Sequence, residues 1–177
     1  MDGLDLERLV ADDYLEGLST MPMAEVRAKK AECSRAEGAL SYLRRLVGVR
    51  LDIVRTELAR RADGGTGELS EIIEHLPEIL AEGGARTTTG RLVSVDLPDV
   101  NHRMLTADLD RIFDVGRAAL LAEMDESEVR RLAERLEALE RRVSSDRRAL
   151  HERLDLIQAE VVRRYKTGEA SPESLLE

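Results

Sequence analysis

A stretch of 25 residues occurs twice in this chain. It reads EGALSYLRRLVGVRLDIVRTELARR from Glu37 and ERRVSSDRRALHERLDLIQAEVVRR from Glu140, and at an offset of 103 the copies share ten identities. Some matches follow from a chain rich in Arg, Glu and Leu. The polar subset is more specific, because Glu, Ser, Arg and Asp recur at steps of 4, 3 and 8 in both copies. At about 100° per residue, positions 4, 7 and 15 beyond the glutamate fall near about 40°, −20° and 60°. Glu37, Ser41, Arg44 and Asp52 therefore share one helix face, as do Glu140, Ser144, Arg147 and Asp155. Gly48 and His151, eleven positions on, fall on the same face near about 20°. Beside each polar strip runs an apolar one: Leu40, Val47, Leu51, Val54 and Leu58 in the first copy, Val143, Leu150, Leu154, Ile157 and Val161 in the second. Each copy thus pairs a coiled-coil seam with a polar flank.

Composition fits long helices. Charged residues make up 36% and aromatics 2%, which suits aliphatic seams rather than a compact aromatic core. The net charge of −9 argues against bulk attraction to DNA or an anionic membrane and favours a basic protein partner. An anionic ligand must then meet a local arginine cluster. The single cysteine, Cys33, excludes an internal disulfide framework and reads as a small core residue. The three histidines lack ligand spacing, so no metal site is expected. The acidic start has no signal-peptide pattern, and no apolar run approaches the roughly 20 residues of a membrane span. A cytoplasmic protein, with no membrane association and no direct DNA binding, is expected.

In chain order, residues 1–21 read as a flexible N-terminal segment. Ser19, Thr20 and Pro22 mark a helix start, and the first long helix covers 22–62 with the first copy. Interior glycines at 38 and 48 weaken it, and Gly48 leaves room for a ligand or a close helix. Asp63-Gly64-Gly65-Thr66-Gly67 ends it. Residues 63–125 form a connecting region. It holds an amphipathic stretch from Glu68 to Glu82, kinked at Pro77 or split there into two short helices, a surface loop over 83–103, and a helix capped by Thr106 or Asp108 with Leu109, Ile112, Phe113, Gly116 and Leu120 on one face. Asp125 and Glu128 have capping-box spacing. They open a second long helix over 126–167, followed by a frayed tail over 168–177. The expected fold is all-α: a long antiparallel helical hairpin, a coiled coil with two shorter amphipathic helices in the connection.

In such a hairpin the two strips are related by an approximate twofold, which suits a symmetric ligand. Carboxylates accept the N1–H and N2–H donors of guanine, and arginine donates to its O6 and N7 or forks onto phosphate. The blander account is a solvated flank of intrahelical charge pairs. No phosphate loop, nucleophile elbow or metal motif is present, so no enzyme is expected.

The pattern E-x3-S-x2-R-x3-Q-x3-D, twice over, resembles the actinobacterial RsiG family of anti-sigma factors. Here it stands as Glu37, Ser41, Arg44, Gly48, Asp52 and as Glu140, Ser144, Arg147, His151, Asp155, with Gly48 and His151 in place of the glutamine. The resemblance covers both long helices, including SYLRRL and RLDI. It implies that two intercalated cyclic di-GMP molecules lie against the helix pair, and that the loaded form sequesters WhiG, the sporulation sigma factor. It further implies that the four acidic residues take guanine edges or order the ligand, the two arginines take phosphate or guanine, and the two serines approach the ligand backbone; His151 stacks, donates or stays solvated. The competing expectation is an antiparallel coiled-coil scaffold or adaptor with no small-molecule ligand.

Overall fold

The computed structural model describes residues 5–64 and 102–170, all of them in helices and the turns that join them. The elements are α1 (Leu6–Val10), a 3-10 turn (Asp12–Leu15), α2 (Met23–Ala62), α3 (His102–Ile112), α4 (Val115–Ala119) and α5 (Glu126–Thr167). The expected helix from Glu68 to Glu82, its kink at Pro77 and most of the expected loop over 83–103 lie outside the described residues.

The long helices α2 and α5 pack against each other as an antiparallel pair, and contacts divide the described chain into two compact units. The first holds residues 5–42, 102 and 142–170, and the second 43–64 and 103–141. In the first unit, Arg27 donates to the Tyr165 hydroxyl, Lys30 to Gln158 and Arg147 to Glu37, so partners on α5 descend as α2 ascends. In the second, the order Arg44–Glu140, Arg55–Glu137, Arg61–Met124 runs the same way. The core follows the apolar strip. On α2, Val26, Cys33, Ala36, Ala39, Leu40, Leu43, Val47, Leu51 and Val54 are buried; on α5, Val129, Leu132, Leu136, Leu139, Val143, Leu150 and Ile157 are. These lie mostly three or four apart, the spacing that keeps one helix face against its partner. Leu58, Leu154 and Val161 from the expected strips are only half-buried.

From residue 5 the N-terminal segment forms α1 and the 3-10 turn and makes hydrogen bonds with α2 and α5. Leu9 and Tyr14 are buried. The Tyr14 hydroxyl donates to Glu32 at 2.9 Å, Lys29 donates to the Tyr14 carbonyl at 2.8 Å, and Arg153 on α5 donates to the carbonyls of Val10 (2.5 Å) and Ala11 (3.1 Å). Thr20 does not cap α2, since its hydroxyl donates to the Gly17 carbonyl at 2.9 Å. Downstream, α3 begins at His102 rather than at Thr106 or Asp108, and the expected single helix through Leu120 is broken. Asp114 takes extended backbone and caps α4 by accepting from the Arg117 N–H at 2.8 Å. Leu109 and Phe113 are buried, whereas Leu120 is exposed.

The capping box that opens α5 is made in full: Asp125 accepts from the Glu128 N–H at 2.8 Å and Glu128 from the Asp125 N–H at 3.0 Å. At its other end Gly168 takes φ 77°, and the Ala170 N–H returns to the Arg164 carbonyl at 3.2 Å. Arg163 pairs with Glu169 at 2.7 Å, and the rest of the expected frayed tail, from residue 171, lies outside the described residues.

One interaction is made twice. Arg61, at the C-terminal end of α2, donates to the carbonyls of Leu121 (2.9 Å) and Met124 (2.7 Å), in the turn that leads into α5. Arg164, at the end of α5, donates to the carbonyls of Leu18 (2.8 Å) and Met21 (2.7 Å), in the turn that leads into α2. Each arginine is held from behind by a glutamate, Glu57 at 2.5 Å and Glu160 at 2.6 Å, which also accepts from Arg60 or Arg163. All these residues, acceptors included, are related by the offset of 103.

Candidate functional site

The polar strips gather in both units, by pairing between helices. In the first unit, α2 supplies Glu37 and Ser41, and α5 supplies Arg147 and His151. Arg147 Nε donates to Glu37 Oε1 at 2.8 Å and to Ser41 Oγ at 2.7 Å, while the Ser41 hydroxyl donates to Glu37 Oε1 at 2.7 Å. His151 Nε2 lies 3.4 Å from the same carboxylate oxygen. Partial burial pushes the Glu37 carboxyl up, but the Ser41 and Arg147 hydrogen bonds and the Arg147 charge outweigh it, and the carboxyl is held below its usual range.

In the second unit the exchange is mirrored. Arg44 on α2 donates through Nε to Glu140 Oε1 on α5 at 3.0 Å. This is the Arg147–Glu37 pair moved by 103 residues with the helices interchanged. The copies differ in exposure: the side chains of Arg44 and Glu140 are 50% and 30% exposed, against 33% and 21% for Arg147 and Glu37. They also differ one turn on. Where the first unit has the His151 imidazole, the second has Gly48, and a Cβ built there meets nothing within 4 Å. Gly48 therefore leaves open space and does not serve a close helix approach.

Ser144 is half-buried, and Asp52 and Asp155 are exposed. The two aspartates stand outside the clusters; Asp52 is held only through its backbone carbonyl, which accepts from the Thr56 hydroxyl at 2.8 Å. Six of the ten expected residues thus make carboxylate–guanidinium clusters, and Gly48 forms a gap beside one of them. Each cluster offers acceptors and donors matched to a guanine edge or a phosphate. The groups already satisfy one another, so an incoming ligand exchanges partners, and the gain is a difference between two sets of hydrogen bonds.

The reading from sequence missed the Arg61 and Arg164 clamps. Their signal was visible, since Glu57/Glu160, Arg60/Arg163 and Arg61/Arg164 are identities of the repeat. The acceptor residues repeat as well, Leu18 as Leu121 and Met21 as Met124, but a backbone carbonyl gives no reason to read them as partners. Among the described residues no group of three or more His, Cys, Asp or Glu is placed to hold a metal ion, and no helix is long and apolar enough to cross a membrane.

A comparison with curated proteins finds no match. A family profile described as RsiG-like matches residues 12–80 and 116–177. The match takes in both helices that carry the duplicated clusters and spans about three quarters of the sequence, so the chain belongs to the RsiG-like family.

Proposed function

We propose that this protein is an anti-sigma factor that binds cyclic di-GMP on its two motif copies and, when loaded, sequesters a WhiG-type sigma factor in the cytoplasm, repressing transcription linked to sporulation. Membership of the RsiG-like family supports the anti-sigma role, which is regulatory rather than enzymatic. The observation that carries the ligand is the reciprocal pairing of Arg147 with Glu37 and Ser41, and of Arg44 with Glu140. The same guanidinium and carboxylate chemistry recurs at two related places, as a ligand with two guanines and two phosphates requires. In this reading two ligand molecules are held. Arg44 and Arg147 take phosphate or guanine O6 and N7, Glu37 and Glu140 take the N1–H and N2–H edge, and Asp52 and Asp155 are free to close on the ligand. The charge of −9 and the exposed apolar side chains of Met104, Val115 and Leu120 support a partner with a basic surface and aliphatic anchors.

The competing reading is a scaffold without a ligand. It is favoured by the completeness of the internal pairs, which need no ligand to be satisfied. Calorimetric titration of cyclic di-GMP, with and without a WhiG-type sigma factor, separates the two; absence of heat in both settings favours the scaffold. Arg44→Ala with Arg147→Ala is expected to abolish ligand-dependent capture of the sigma factor while helix content by circular dichroism is unchanged. Arg131→Ala with Arg135→Ala is the control, because both arginines lie outside the two clusters.

A further inference from the structure

The motif copies reproduce the Arg–Glu pair but differ at the position eleven residues beyond the glutamate. In the first unit His151 stands with Nε2 3.4 Å from Glu37 Oε1, on a carboxylate already reached by Arg147 and Ser41. In the second unit the related position is Gly48, with open space where a side chain would be. An imidazole supplies one more hydrogen-bonding nitrogen and a flat ring on which a base can stack. Glycine supplies neither. The histidine-bearing cluster is also the drier, with Arg147 at 33% exposure against 50% for Arg44, and hydrogen bonds to charged groups strengthen as water is excluded.

We propose that the two copies are unequal binding positions: His151 makes the Glu37–Arg147 cluster the first and tighter position for a guanine base, and Gly48 makes the Glu140–Arg44 cluster the second and weaker one. This rests on the guanine-nucleotide reading above. The inequality belongs to two single residues and is transferable between copies. A histidine at 48 finds room for its Cβ, and replacing glycine in a helix interior favours the helix. An alanine at 151 removes the ring and keeps helix propensity.

The test is calorimetric titration of cyclic di-GMP into the full chain, alone and mixed with the sigma factor, for wild type, His151→Ala and Gly48→His. Wild type is expected to show two steps at least about tenfold apart in Kd, the difference one added charge-assisted contact makes. His151→Ala weakens the tighter step by about tenfold and leaves the other, and Gly48→His tightens the weaker step. In nitrogen-detected NMR of the imidazole, the His151 signals of wild type move within the first equivalent of ligand. Two equal steps in wild type, or steps indifferent to both substitutions, overturn the proposal while the nucleotide reading stands. No binding by wild type in either setting overturns both.

Discussion

Glu37 shows how one carboxylate oxygen organises a cluster. Oε1 receives Arg147 Nε, the Ser41 hydroxyl and the approach of His151 Nε2. The sequence placed Glu37, Ser41, Arg147 and His151 on polar faces because a face is fixed by position along a helix. It did not decide that arginine would cross to the opposite helix rather than pair within its own, because both choices fit the same face. The depressed Glu37 carboxyl has a pH consequence. An unfolded glutamate titrates near about 4.3. The folded one titrates lower, so on acidification the unfolded chain takes up the proton first. The stabilisation is full above the unfolded value and is lost as pH falls through the folded one. In urea denaturation, wild type is expected to exceed Glu37→Gln in midpoint at pH 7, with the gap narrowing as pH falls below the unfolded value. A gap that stays constant through that fall assigns the effect to something other than the charge.

At the scale of the element, each long helix does two jobs. Its apolar seam makes the core, and its C-terminal arginine holds the turn that starts the other long helix. Glu57 is 1% exposed and accepts from both Arg60 and Arg61. With the Arg60 hydrogen bond as the largest cause, its carboxyl lies below its ordinary range. Hydrogen bonds to a charged group contribute roughly 1.5–3 kcal/mol, so Glu57→Gln is expected to destabilise by about 2 kcal/mol in urea unfolding at neutral pH. Arg60 and Arg163 support the clamps in the same way, because each holds the carboxylate that positions one. The seam gives the second expectation. Leu150 is fully buried, and Leu150→Ala is expected to cost about 3 kcal/mol, measured as the fall in unfolding free energy. Both long helices were legible from their periodicity and stop signals. The helix break at Asp114 was not, because Leu109, Ile112, Phe113, Gly116 and Leu120 also fit one continuous helix, and only packing sends Phe113 inward while Leu120 stays exposed.

Across the whole molecule the chain is a pair of units, each assembled from one half of α2, one half of α5 and a set of short helices. Glu57 belongs to one unit and Leu150 to the other, and they share no partner. The double variant Glu57→Gln with Leu150→Ala is therefore expected to lose the sum of the single losses to within about 0.5 kcal/mol in urea denaturation. A larger departure shows that the units communicate energetically. The sequence by itself determined the two long helices, their buried seams and their polar strips, because helical periodicity is a local property and each turn constrains the next. Only the tertiary structure decided which guanidinium meets which carboxylate, which carbonyls Arg61 and Arg164 hold, and that α1 and Tyr14 are anchored. Those contacts join residues far apart in the chain, and although Leu18 and Met21 repeat as Leu121 and Met124, a backbone carbonyl is open to any arginine within reach and does not name its donor.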